Sequence, residues 1–403
     1  MKSLKLILLF LILSCSQPDQ DIYDANFAQD ILVIDTHIDV PYRLWRQDLA
    51  GNQIDDISSS TLGDFDYERA VKGGLDIPFF SIYLPAETEE LGTSFDMANK
   101  LIDMVEDIVS QSPDKFYLVR SVKEAKTFPK KGFIGIALGM ENGSPLEGDL
   151  SRVEYFYKRG IRYITLTHSK SNHISDSSYD DKTQWGGLSN FGKSVIKEMN
   201  KVGIIVDISH VNDDAFFQAI EISDVPVIAS HSSLRHFTPG FERNVSDEML
   251  IKLAEKGGVI QINFGSDFLN QDSREHSSKL RSNVINFSKS QEIPQIDNLS
   301  EQERLELKKS YLKSNPYPYA SIDDVIDHID RVVQLVGINH VGLGSDFDGV
   351  GDTLPVNLKD VSMYPNLIKK LFQRGYSKSD INKILNDNFL RVWQEVEAYA
   401  EGK

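Results

Sequence analysis

Eight short apolar segments, each followed by enough chain for a helix, place the strongest constraint on this sequence of 403 residues. They are Ile31–Asp35, Leu75–Leu84, Phe133–Gly139, Tyr163–Thr167, Ile204–Ile208, Pro226–Ser230, Val259–Phe264 and His340–Asp346. Apolar runs of strand length alternating with helical spacers predict an α/β fold, a (β/α)8 barrel of the TIM type. Two spacers carry explicit helix starts. Ser321 to Asp324 reads as a capping box before a 3.6-periodic run that stops at Gly337, and Ser377 to Asp380 opens the C-terminal helical stretch.

Residues 268–320 break the rhythm. They follow the seventh segment, are polar, contain "NPYPY" at 315–319 and carry their own helix start at Ser300 and Glu303. An insertion there lies over the C-terminal rim, where barrels assemble their chemistry, so it is read as a lid or rim. One catalytic domain is expected over residues 25–403.

Ahead of it, "MKSLKLILLFLILS" pairs Lys2 and Lys5 with an apolar run from Leu6 to Leu13, too short for a membrane span and suited to an export signal. Ile12-Leu13-Ser14-Cys15 resembles a bacterial lipoprotein cleavage box, although Leu13 is bulkier than usual there. The expectation is a signal over 1–14, a lipid on Cys15 and a linker over 15–24, making this an exported bacterial lipoprotein held at a periplasmic or outer membrane surface. Cys15 is the single cysteine, so no disulfide framework and no thiolate metal site exists downstream. A metal must be held by histidines and carboxylates. The net charge of −17 disfavours nucleic acid as a partner while leaving room for one small anion in a local basic pocket.

The candidate ligands recur at one end of the strands. In "VIDTHIDV" His37 and Asp39 stand two residues apart, a spacing that turns both side chains to the same side of a strand. "GMENG" puts Glu141 after its strand, "YITLTHS" delivers His168, "DISH" His210, "ASHSS" His231 and "GLGSDFDGV" Asp346 and Asp348. Independent core histidines have no reason to choose that end repeatedly. His173, His236, His276 and His328 are assigned to surface or helix packing, and His340, at a strand start, should face away. Asp207 is read as a supporting group rather than a ligand. Three imidazoles and two carboxylates exceed what one open catalytic zinc takes and suit two metals sharing a carboxylate. The nitrogen and oxygen donors suit Zn²⁺, with Mn²⁺ and Fe²⁺ as alternatives. Such a pair lowers the pKa of a bridging water and polarises a carbonyl.

Together with "RNVSDE", these motifs resemble the renal or membrane dipeptidase family of metallopeptidases, among the amidohydrolase-like barrels, from about Val33 to Val396. The resemblance implies zinc-dependent hydrolysis of dipeptides, L,D-dipeptides included, by a metal-bridged water. It implies that His37 and Asp39 hold one zinc, His210 and His231 the other, and that Glu141 bridges both. It further implies that His168 stabilises the oxyanion, Asp346 shuttles a proton to the leaving amine, and Arg243 clamps the substrate carboxylate. The chain lacks the cysteines of mammalian members and carries its anchor signal at the other end. Partners are then a dipeptide, a membrane through the lipid, and a homodimer mate. The rival readings are another barrel hydrolase acting on N-acyl amino acids, lactones or cyclic amides, and a zinc- or peptide-binding lipoprotein without catalysis.

Overall fold

Strand-sized apolar runs do close into a barrel. The computed structural model describes residues 27–127, 132–291, 293 and 299–403, so the signal, Cys15 and the linker fall outside the described residues. The strands are β1 (Ile34–Ile38), β2 (Ile77–Tyr83), β3 (Phe116–Leu118), β4 (Ile134–Glu141), β5 (Ile161–Thr165), β6 (Ile205–Asp207), β7 (Ile228–Ser232), β8 (Val259–Ile262) and β9 (Val341–Leu343). Their order is β1-β2-β4-β5-β6-β7-β8-β9, all neighbours parallel, with β3 outside on β4. A parallel bridge from Ile38 to Phe347 brings the two ends of the sheet together. Every expected strand is present; β3, three residues paired only with β4 outside the barrel, is additional.

β1 begins three residues later than its apolar run, because Ile31 N still donates to Phe27 O in a preceding helical turn. Asp35, Thr36 and His37 therefore lie inside the strand, and all three are buried.

Two apolar layers hold the barrel. One packs strands against the surrounding helices. The other fills the interior with Ile34, Ile77, Phe79, Ala137, Tyr163 and Ile228, closed from below by Phe389 and Trp393 of the C-terminal helix Asn388–Glu401. Those rings meet Phe79 edge-on at 5.0 and 5.4 Å between centroids, and Phe79 stacks under Tyr163 at 5.8 Å. Tyr163 fits because β4 offers Gly139 beside it: a Cβ there would fall 1.9 Å from Tyr163 Cζ. Truncating Trp393 to Ala would open the floor at a cost of about 3–5 kcal/mol.

The helix starts stand where the caps placed them. Capping boxes at Ser321/Asp324, Ser377/Asp380 and Ser300/Glu303 open Ile322–Val336, Lys378–Asn382 and Glu301–Ser314. The insertion is helical, with Gln271–Ser290 and Glu301–Ser314 sharing a small core of Val284, Leu307 and Tyr311. No helix of the described residues is long and apolar enough to cross a membrane.

Candidate functional site

β4 ends on Glu141, whose two oxygens face different histidines. Oε2 accepts from Ser81 Oγ at 3.2 Å and lies 3.4 Å from His37 Nε2. Oε1 lies 3.0 Å from His210 Nε2, 3.2 Å from His231 Nε2 and 3.5 Å from His168 Nε2. Asp39 Oδ2 stands 3.5 Å from His37 Nε2, although Asp39 has left the strand and precedes the helix Val40–Leu49 without a side-chain capping bond. The five residues read as ligands thus converge, with His168 and Asp346 beside them.

Hydrogen bonds beneath the site fix which nitrogens are free. Tyr163 Oη gives its one proton to Thr36 O at 2.9 Å, so at 2.8 Å it accepts from His37 Nδ1–H and leaves a lone pair on Nε2. Ser230 Oγ likewise donates to Asp207 Oδ2 at 2.6 Å and accepts from His231 Nδ1–H at 2.7 Å. Asp207 also takes Ser230 N, Ser209 N and Thr165 Oγ1, so it supports the imidazole from behind, as a supporting group should.

Two Nε2 lone pairs therefore point at carboxylate oxygens, and His210 Nε2 and His231 Nε2 stand only 2.8 Å apart. A proton on His210 Nε2, or a cation shared with Glu141, relieves the repulsion among these atoms. Burial works against charge on His37, yet Tyr163, Glu141 and Asp39 together raise its pKa well above the ordinary value, so Nε2 favours a cation, proton or metal. His210 and His231 are held well below theirs, chiefly by burial, which keeps them neutral and ligand-ready. Three overlapping groups could hold a metal: His37, Glu141 and His231; Glu141, His168 and His210; and His37, Asp39 and Asp346. Nitrogen and carboxylate donors fit Zn²⁺, Mn²⁺ or Fe²⁺.

Asp346 and His210 adopt the left-handed region, φ 65° and 69°, which non-glycine residues occupy at a cost. Asp346 Oδ2 accepts from Asn263 Nδ2 at 2.7 Å, and burial, with Asp39 next, pushes its pKa up to about 7. Asp348 is occupied elsewhere, paired with Arg43 at 3.0 Å and accepting from Asp64 N at 2.6 Å.

The metal-side residues open into a cavity of about 840 Å³, whose walls include Asp39, Glu141, His168, His210 and Asp346, with Tyr179 and Phe268 among the others. Arg243 is not on that wall. It is 3% exposed, donates to Ser232 Oγ at 2.6 Å and His231 O at 2.7 Å, and sits 5.4 Å from the Phe268 centroid. Among the described residues it makes no ion pair, and its Nε–H has no partner. His173, His236, His276, His328 and His340 lie outside the site as expected; His340 Nδ1 bonds Gly258 O at 2.8 Å.

The supporting residues escaped the sequence reading. Tyr163 is two residues ahead of Thr165 on one strand face, Ser230 adjoins His231, and Asn263 follows β8. Their signal was polarity within apolar strands at positions facing the barrel interior.

Comparison with known proteins agrees with this geometry. Residues 25–403 match the family model described as "Membrane dipeptidase (Peptidase family M19)". An uncharacterised dipeptidase, C965.12, of Schizosaccharomyces pombe is 31% identical over 390 residues, covering 91% of this chain and 81% of that protein. The crystal structure of the probable dipeptidase PvdM from Pseudomonas aeruginosa superposes with a TM-score of 0.77 at 27% identity, over 93% of this chain and 98% of that one. A metallopeptidase from Rhodobacter sphaeroides, solved with a phosphinate mimic of the dipeptide L-Ala-D-Ala, shares the fold, with a TM-score of 0.72 at 22% identity over 91% and 99%. The chain therefore belongs to the membrane dipeptidase family, peptidase family M19, and is a metal-dependent dipeptidase on an amidohydrolase-like barrel.

Proposed function

We propose that the chain hydrolyses dipeptides, those with a C-terminal D-residue included, using two zinc ions. His37 and Asp39 would hold one, His210 and His231 the other, and Glu141 both. The observation that carries this is the division of Glu141: Oε2 faces His37, and Oε1 faces His210 and His231. When bound, such a pair supplies Lewis acidity toward the carbonyl and a water of lowered pKa.

The chain's own residues do the rest. His168, kept neutral by burial, stands 3.5 Å from Glu141 Oε1 on the cavity wall, placed to donate a hydrogen bond to the scissile oxygen as charge develops there. Asp346 has one oxygen fixed by Asn263, and with a pKa of about 7 its carboxyl can take a proton and return it to the departing amine near neutral pH. Arg243, beside Phe268 with Nε–H unused, would receive the substrate's terminal carboxylate. The dipeptide mimic bound by the Rhodobacter sphaeroides relative is of the substrate class proposed here. Export on residues 1–14 and a lipid on Cys15 complete the reading, the basis being the sequence "LILSCS".

The test is hydrolysis of an L,L- and L,D-dipeptide panel by protein lacking residues 1–14, before and after chelation and zinc restoration. Cleavage lost with chelator, regained with zinc and blocked by N-acetylating the substrate supports the reading. Metal-loaded protein that cleaves no dipeptide but opens N-acyl amino acids or lactones overturns it.

A further inference from the structure

The insertion brings a second guanidinium to the side of the cavity where Arg243 lies. Arg274 stands in the first turn of Gln271–Ser290, half-buried, with its guanidinium carbon 3.8 Å from the centroid of Phe241. Among the described residues its guanidinium rests on that ring; no carboxylate pairs with it and no acceptor takes its protons. The rim carboxylate Asp267 accepts from Tyr317 Oη at 2.6 Å and Ser277 Oγ at 2.8 Å, both through Oδ1, and makes no ion pair with Arg274. In a chain with 60 acidic and 43 basic residues, a half-buried guanidinium without an anion calls for a reason.

The two arginines share one aromatic patch. Phe241 packs against Phe268 at 5.7 Å and Tyr179 at 6.0 Å, and Arg243 sits over Phe268 at 5.4 Å. Phe268 and Tyr179 line the cavity. Tyr179 lies within reach of charges of both signs: burial raises its phenol pKa, Arg243 and then Arg274 oppose that rise, and Asp346 and Asp267 add to it. The cavity wall carries Phe268 and Tyr179, and behind those rings stand Phe241 and two guanidiniums, neither paired with a protein anion among the described residues.

We infer that Arg274 is a specificity residue that selects dipeptides whose C-terminal residue bears a second carboxylate, Asp or Glu of either hand. The inference rests on Arg243 taking the terminal carboxylate. With that group fixed, a side-chain carboxylate two or three bonds away is the part of the substrate left to meet a second guanidinium, and its methylenes would pack on Phe268, the ring of this patch that lines the cavity with Tyr179. The plain alternative is that Arg274 merely covers Phe241 as a surface cation–π pair.

The experiment compares kcat/KM for Ala–Glu and its neutral isostere Ala–Gln, C-terminal L and D, with Ala–Ala as reference. The wild type should prefer Glu by about tenfold or more, the equivalent of about 1.4 kcal/mol, carried mainly by KM. Arg274→Met should bring the Glu/Gln ratio close to one, and Arg274→Glu should turn preference toward Ala–Lys. Arg243→Met should lower all substrates together. Equal use of Glu and Gln by the wild type, or a Glu preference that survives Arg274→Met, overturns the inference while the dipeptidase reading stands. No turnover of Ala–Ala by the metal-loaded wild type overturns both.

Discussion

Tyr163 Oη lies 2.8 Å from His37 Nδ1 and hands its own proton to Thr36 O, so the tyrosine decides which nitrogen of His37 is free. The same ring stacks on Phe79, which meets Trp393 edge-on, linking the barrel floor to the candidate metal centre through packed aromatics. Packing below the site and ligand geometry within it are one structure.

Tyr163→Phe keeps the ring and removes the acceptor. His37 Nδ1–H and Thr36 O then lose their shared partner, costing about 1–3 kcal/mol of stability. The larger effect should fall on metal binding, weakened about 10- to 100-fold as the imidazole loses its tautomer lock. Competition against a chromophoric chelator measures this. Unchanged metal affinity would show that His37 is oriented by the strand alone.

Gly349→Ala tests the other side of the centre. A Cβ at 349 would come within 2.2 Å of Asp39 Oδ2 and 2.3 Å of Asp346 Oδ1, so both carboxylates must shift while the barrel below is untouched. A displacement of that order costs about 100-fold in rate. The expected result is a fall of that size in kcat/KM with little change in the urea midpoint. A fully active Gly349→Ala protein would mean that these oxygens take no part.

Asp346→Asn separates the proton carrier from the ligands. The amide keeps an oxygen for Asn263 Nδ2 but cannot take up a proton at catalytic pH. Turnover should fall about 10²- to 10⁴-fold. Metal content, read by elemental analysis, should stay at the wild-type value. Loss of metal alongside activity would instead make Asp346 a ligand, as its grouping with His37 and Asp39 allows.

Much of this was legible in the sequence because barrels put chemistry at one end of their strands. Glu141, His210, His231 and Asp346 each end or follow an apolar run, and a run can be seen without knowing its register. Register is what stayed hidden. β1 starts at Ile34 because a helical turn claims Ile31, and no local pattern announces that. Arg243 was found by its resemblance to a family motif, but its seat behind Phe268 depends on the loop joining β7 to the helix Asp247–Glu255, where periodicity says nothing. Tyr163 and Ser230 read as ordinary strand residues because their work is done through contacts with residues far away in the chain or on the imidazole next door.

His328 gives a pH dependence free of the metal centre. Its Nδ1 accepts from Leu234 N at 3.0 Å and its Nε2 therefore donates to Leu269 O at 3.0 Å, joining the segment after β7 to the start of the insertion. Burial pushes its pKa down from 6.5 to about 4, so the folded state keeps the ring neutral. Between those values the unfolded chain binds more protons than the folded one, and stability rises with pH. The contribution is complete above pH 6.5 and is lost as pH falls toward 4, on the order of 3 kcal/mol at 1.36 kcal/mol per unit. His328→Gln can form both hydrogen bonds without titrating. Urea midpoints with chelator present, at pH 7.5 and 4.5, should therefore lie closer together in the variant than in the wild type. Equal spacing in the two proteins would place the acid sensitivity in other groups and leave His328 a neutral strut.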